Sequence, residues 1–200
     1  MIAILDYGAG NLFNAQKAVQ ALGYDSIITD DAATIRSAEK LILPGVGAFP
    51  DAMDNLRQRG LDELIRQQVQ EGKYLLGICL GMQLLFDHSD EMGGDTGLGL
   101  IPGKVRKIQT SYKIPHMGWN QLTYHTPHLV FDGIPEGESV YFVHSFCADV
   151  QDEADLIAST WYGERITAAV SRGNVIGMQY HPEKSSRIGM HMLKNFIELK

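Results

Sequence analysis

The sequence predicts an α/β fold: a mostly parallel central sheet flanked by helices, with an additional mixed or antiparallel β region. Three observations carry this expectation. Short continuous apolar runs alternate with helix-periodic stretches through the first half of the chain, the pattern of βα units around a sheet buried on both faces. The second half turns to short, partly alternating runs, as antiparallel strands have. No repeat, low-complexity tract or linker divides the 200 residues, so residues 1–200 are expected to form a single domain.

Taken in order, Ile2–Leu5 is a buried strand that ends in Asp6-Tyr7-Gly8. Asn11 is placed to cap a helix whose apolar positions are Leu12, Ala15, Ala18, Val19 and Leu22, with Gly23 as its stop. Ser26–Ile28 and Leu41–Leu43 read as the next strands, the latter closed by Pro44-Gly45. Leu56, Leu61, Leu64, Ile65 and Val69 indicate one or two helices. Tyr74–Cys79 is a fourth buried strand, and a helix is expected to begin over Met82 to Phe86. Gly93–Gly97 reads as a loop; Val105–Ile108, Val140–Val143, Leu156–Ser159, Ala168–Val170 and Val175–Gln179 read as strands. A last helix over Ser186–Leu199 carries Ile188, Met192, Phe196 and Leu199 on its apolar face.

Composition excludes several classes. Lys and Arg number 17 against 24 Asp and Glu, a net charge of −7, which argues against nonspecific nucleic-acid binding. The hydrophobic share of 44% and charged share of 20% are those of a globule, not of a disordered or collagenous chain. Cys79 and Cys147 cannot make a disulfide framework. The start Met-Ile-Ala-Ile-Leu-Asp has no basic segment of a signal peptide. The apolar stretch Tyr74–Leu80 is far short of the roughly 20 residues that span a bilayer. A reducing cytoplasm and no membrane association are therefore expected.

The chemistry points to Gly77-Ile78-Cys79-Leu80-Gly81. A nucleophile between a strand and a helix needs a tight turn, and glycines two positions either side let the backbone pass closely. A helix starting at Gly81 would bring its positive end to Cys79 and favour the thiolate. A free Cys is more often merely buried, but the flanking glycines favour the reactive reading. A thiol nucleophile needs a base and the base an orienting group. In Gln179-Tyr180-His181-Pro182-Glu183, His181 and Glu183 share a side of an extended segment. His144, the rival base, sits among apolar neighbours as a core histidine does. The turn Gly45-Val46-Gly47 ends a strand on the same sheet edge as Cys79, and its amides, with the Leu80 N–H, could face an oxyanion. Gln83 falls in the first helical turn beside Cys79, where a polar substrate would lie, though its amide could equally be solvated. Lys104, Arg106, Lys107 and Lys113 are expected to be a solvated strand face, Cys147 structural, and Trp119 part of a rigid, turn-rich segment. The histidines do not fall at metal-binding spacing.

Together, Asp6–Asn11, Pro44–Gly47, Gly77–Gln83, Tyr141–Phe146 and His181-Pro182-Glu183 resemble the class I (triad) glutamine amidotransferases over nearly the whole chain. Within them, the segments DYGAGN, PGVGAF, PHMGWN and HPEKS resemble the branch of histidine biosynthesis. The resemblance implies hydrolysis of L-glutamine by a Cys79–His181–Glu183 triad without a cofactor. It implies oxyanion donors at Leu80 and Gly45-Val46-Gly47, and glutamine contacts from Gln83, Glu91 and Ser145. It also implies transfer of ammonia to a cyclase (synthase) subunit in a heterodimer, with Tyr141, Lys184, Trp119 and Asn11 near the interface. Val46 stands where related enzymes have a second glycine. A β-branched residue resists positive φ, so the inward amide is expected to be disfavoured until the partner binds. Other readings of the same residues are the glutaminase of another amidotransferase, a cysteine hydrolase on a similar sheet, or a noncatalytic module.

Overall fold

The computed structural model describes residues 1–200. The first half runs β1 (Ile2–Leu5), α1 (Leu12–Ala21), β2 (Ser26–Thr29), α2 (Ala32–Ser37), β3 (Lys40–Gly45), α3 (Phe49–Gln58), α4 (Leu61–Gln70), β4 (Tyr74–Cys79) and α5 (Leu80–Gln83). Then follow β5 (Phe86–Ser89), β6 (Asp95–Thr96), β7 (Ile101–Lys107), β8 (His116–Gln121), β9 (Thr123–Tyr124), β10 (Ser139–His144) and β11 (Phe146–Val150). The chain ends with β12 (Leu156–Trp161), β13 (Arg165–Arg172), β14 (Val175–Met178) and α6 (Ser186–Glu198).

The main sheet has eight strands in the order β2-β1-β3-β4-β14-β13-β12-β9. β2, β1, β3, β4 and β14 are mutually parallel, and β13, β12 and β9 continue the sheet antiparallel. A two-stranded ribbon β10-β8 and a four-stranded sheet β11-β7-β5-β6 complete the β structure. This is the expected parallel sheet with a mixed region added.

The apolar runs are continuous because each strand serves two cores. In β1, Ile2 and Ile4 join α1 and α6 residues (Ala15, Val19, Met192, Phe196) on one face. Ala3 and Leu5 join Ile35, Leu56 and Leu64 of α2, α3 and α4 on the other. A strand pleat sends successive side chains to opposite faces, so a sheet covered on both sides tolerates no polar alternation. The parallel arrangement also brings the carboxyl ends of β1, β3 and β4 to one edge, where Gly45 pairs with Cys79.

Several local expectations differ from the structure. No helix runs over Met82–Phe86: α5 stops at Gln83, and Phe86 opens β5 against Ile101. The carbonyls of Leu84 and Leu85, which a longer helix would have used, accept from the N–H groups of Leu98, Leu100 and Ile101 instead. α2, and strands β5, β6, β8, β9 and β11, are additional to the sequence reading. Asn11 takes the N-cap position of α1 but its side chain makes no capping bond. The segment around Trp119 is strand β8, not a turn-rich loop, because β10 pairs with it along its whole length. Arg106 is not on a solvated face: its guanidinium bonds Asp149 of the paired strand β11 at 2.7 Å and Glu164 of the β12–β13 turn at 2.8 Å.

Candidate active site

Cys79 closes β4 and precedes the single turn of α5, with φ 56 and ψ −113. L-residues rarely take this conformation, and it marks a sharp, strained elbow. Its neighbours explain how it is held. A Cβ on Gly77 would lie 2.6 Å from the Gly81 carbonyl oxygen, and one on Gly81 would lie 1.8 Å from that of Leu43. A Cβ on Gly45 would meet the Tyr7 hydroxyl at 2.6 Å and the Gly81 nitrogen at 2.8 Å. The glycines let β3, β4 and α5 approach until only backbone fits between them. The helix is four residues long, so any positive end at Cys79 is that of one turn and not of a long macrodipole.

His181 and Glu183 meet across Pro182. Nδ1 of His181 lies 2.8 Å from Glu183 Oε1, with both side chains almost fully buried. The segment is not extended throughout: His181 is extended, while Pro182–Lys184 makes a 3₁₀ turn that Pro182 pre-sets. The His181 Nε2 has no hydrogen-bond partner. Burial by itself would lower the imidazole, but Cys79 and Glu183 beside it outweigh that and raise it to about 9. This favours the protonated ring between a sulfur and a carboxylate.

A cavity of about 430 Å³ joins these groups. Cys79, His181, Leu80, Val46, Gly47 and Gln83 line it, as do Glu91, Ser145 and Lys184. As the first residue of α5, Leu80 presents an N–H without a helical partner. Gly45 lies behind the wall, packed on the elbow. Val46 stays outside the left-handed region, and the positive φ of the turn falls on Gly47 at 108°. Glu91 is held by the Phe49 N–H at the start of α3, 2.9 Å from Oε2. Gln83 is buried rather than solvated; its amide nitrogen donates to Phe146 O at 3.0 Å and to Gln179 Oε1 at 2.9 Å.

Gln179, to which the sequence motifs assign no role, belongs to the site as well. It is wholly buried, and its Nε2 points to Cys79 Sγ at 3.9 Å. Gln179 and Tyr180 form a bend between β14 and His181, so spacing along an extended strand does not locate Gln179 in the site. His144 is a core histidine: its Nδ1 bonds Phe146 O at 2.8 Å, its Nε2 meets His116 Nδ1 at 2.9 Å, and burial lowers it to about 3. Cys147 is buried, and burial pushes its thiol up to about 12. No group of three His, Cys, Asp or Glu side chains could hold a metal ion. A larger groove of about 600 Å³ along Tyr124–Ile134 lies elsewhere and contains neither cysteine.

Of the four residues expected at an interface, Lys184 lines the cavity, while Trp119, Tyr141 and Asn11 do not. Trp119 and Tyr141 face each other across the β8–β10 ribbon, edge to face with ring centroids 6.0 Å apart. Lys184 is exposed at the cavity rim, and Asn11 is half-buried at the start of α1. Phe13, 70% exposed, and Met117 and Trp119, both more than half exposed, are large apolar side chains left in solvent.

The chain is similar to known proteins over its full length. A family described as "Glutamine amidotransferase class-I" matches residues 3–199. "Imidazole glycerol phosphate synthase subunit HisH" of Moorella thermoacetica is 51% identical over 99% of this chain and 94% of its own. The protein of the same description from Oceanobacillus iheyensis is 49% identical over 100% and 99%. In fold, a crystal structure described as a glutamine amidotransferase superposes with a TM-score of 0.78 at 19% identity, covering 98% of this chain and 97% of that one. A chain of "PurLQS from Thermotoga maritima" does so at 0.75 and 21%, covering 98% and 96%.

Proposed function

This chain belongs to the class I glutamine amidotransferases, and from that premise we infer how its residues work. It acts as the glutaminase subunit of an imidazole glycerol phosphate synthase in histidine biosynthesis. In our reading residues 1–200 form one amidotransferase domain, and the observation that carries the mechanism is that Cys79 and His181 line one cavity while Glu183 is bonded to the His181 ring behind it. Cys79 thiolate attacks the side-chain amide carbon of L-glutamine. The tetrahedral oxyanion is received by the Leu80 N–H and by amides of the Gly45-Val46-Gly47 turn. His181, protonated beside the sulfur, gives its proton to the departing ammonia. It then takes one from the water that cleaves the thioester and releases glutamate. Glu183 holds the His181 ring through Nδ1. Gln83, Glu91 and Ser145 orient the substrate.

The chain carries no second site for an ammonia acceptor in this reading. Ammonia passes to a cyclase subunit, bound as a heterodimer on the apolar surface formed by Phe13, Met117, Trp119 and Tyr141. That subunit would make imidazole glycerol phosphate and an aminoimidazole carboxamide ribonucleotide. No helix is long and apolar enough to cross a membrane, and we place the protein in the cytoplasm with no nucleic-acid partner. Turning the Val46 amide inward would require the left-handed region its β-branched side chain avoids, so partner binding supplies the energy for that change. The test is glutamate release from glutamine, with and without the cyclase subunit. Release should be slow from the chain alone, faster in the complex and absent in Cys79→Ala. A wild-type complex without glutaminase activity overturns the function, and equal rates for free chain and complex overturn the role given to Val46.

A further inference from the structure

His181 is tied down by its main chain as well as its ring. Its N–H donates to the Tyr141 carbonyl at 3.0 Å. The Ser185 hydroxyl donates to the His181 carbonyl at 2.6 Å and accepts from the Tyr141 N–H at 2.9 Å. Both polar main-chain groups of Tyr141 therefore turn to His181, one directly and one through a single oxygen. Ser185 is entirely buried, and a Cβ on Gly189 would lie 2.6 Å from the Ser185 Cβ. The site is closed, and loss of one hydroxyl would not leave room for a water to replace it.

The other end of this bridge is half-buried. Tyr141 stands on the β8–β10 ribbon edge to face with Trp119. Its backbone thus links a surface ribbon to a residue whose Nε2 must stand against Cys79. We propose that Ser185 is a positioning residue for glutamine hydrolysis: its hydroxyl fixes the His181 main chain to β10, so that the ribbon sets the place of the imidazole over the sulfur. This rests on the glutaminase function given above. Without the hydroxyl the Tyr141 N–H loses its acceptor, while the His181 carbonyl keeps the Lys184 N–H. The ribbon and the histidine are then joined by one bond instead of a closed pair. Misplacement of a reacting group by about 1 Å can cost on the order of 100-fold in rate.

The experiment compares Ser185→Ala with wild type, each in complex with the cyclase subunit. Turnover of glutamine should fall at least about ten-fold with KM within about two-fold, because substrate contacts are untouched and only the proton-transferring ring moves. In the free chain, the imidazole N–H resonance of the His181–Glu183 hydrogen bond should shift or broaden in the variant. A residue that merely held the fold would lower the melting temperature and leave both readouts alone. Turnover within two-fold of wild type with an unchanged resonance overturns the proposal. If the wild-type complex fails to hydrolyse glutamine, the functional reading falls, and the resonance still decides the positioning claim. Should the variant not fold, amide exchange in the unmodified chain decides: protection of the Tyr141 N–H supports the bridge, and exchange as fast as an exposed amide overturns it.

Discussion

At Cys79 the backbone is held in a conformation that most residues avoid, and the cost is met by contacts only glycine permits. Gly81→Ala would drive a methyl into the Leu43 carbonyl at 1.8 Å. The backbone must then shift, at about 1–3 kcal/mol of stability, read as a melting temperature several degrees lower together with lost glutaminase activity. The histidines set a pH dependence with two limbs. His181 is raised to about 9, so the stability it contributes is complete below its unfolded value of about 6.5 and is lost as pH rises through about 9. His144 and His116 are lowered by burial to about 3 and about 4, so theirs is present above about 6.5 and lost as pH falls toward those values. Denaturant unfolding across pH should show a maximum near neutrality, and Glu183→Gln should flatten the alkaline limb alone. Much of this site was legible in the residues: Gly-x-Cys-x-Gly declares an elbow, and His-Pro-Glu a base with its carboxylate. Gln179 was not, because a buried amide acquires meaning only when Gln83 and Cys79 close around it.

Elements were legible where periodicity ran long and obscure where pairing decided. α1, α3, α4 and α6 each carry an apolar face over ten or more residues. The stretch after Cys79 is apolar but for Gln83, so periodicity could not separate helix from strand. It becomes one helical turn and then β5 because Leu98–Ile101 claim the carbonyls of Leu84 and Leu85. α6 shows the reverse case, an element completed by a distant side chain. The Lys40 ammonium donates to Phe196 O at 3.1 Å, to Ile197 O at 2.7 Å and to Leu199 O. These carbonyls lie in the last turn of the helix or just past it, where intrahelical donors run out; Phe196 O accepts also from the Leu199 N–H. Lys40→Met keeps the aliphatic stem and removes all three bonds. It should cost about 1–3 kcal/mol, measured by denaturant unfolding, with faster hydrogen exchange in the last turn of α6 than elsewhere in the helix.

Across the molecule, the cavity opens where β3 and β4 end, at the carboxyl edge of the sheet, with Lys184 exposed on its lining, so a chain docking over that opening would also cover the chemistry. Trp119 is 56% exposed and backed by Tyr141, the form of an aromatic anchor. Trp119→Ala should weaken binding to the cyclase subunit by about 2 kcal/mol in a titration, while the folded chain keeps its melting temperature. A loss of stability with unchanged affinity would mark Trp119 as a scaffold residue instead. The amino-acid sequence by itself determined the parallel α/β core, the nucleophile, its base and the base's carboxylate, because each is written in neighbouring residues: apolar period, flanking glycines, a proline between His181 and Glu183. Tertiary structure alone decided how the antiparallel strands β13, β12 and β9 join the parallel sheet, the ribbon that carries Trp119, the burial of Gln83 against Gln179 and the Ser185 bridge from Tyr141 to His181. Those features rest on contacts between residues tens of positions apart, whose meeting depends on the closure of the whole chain and not on any local pattern.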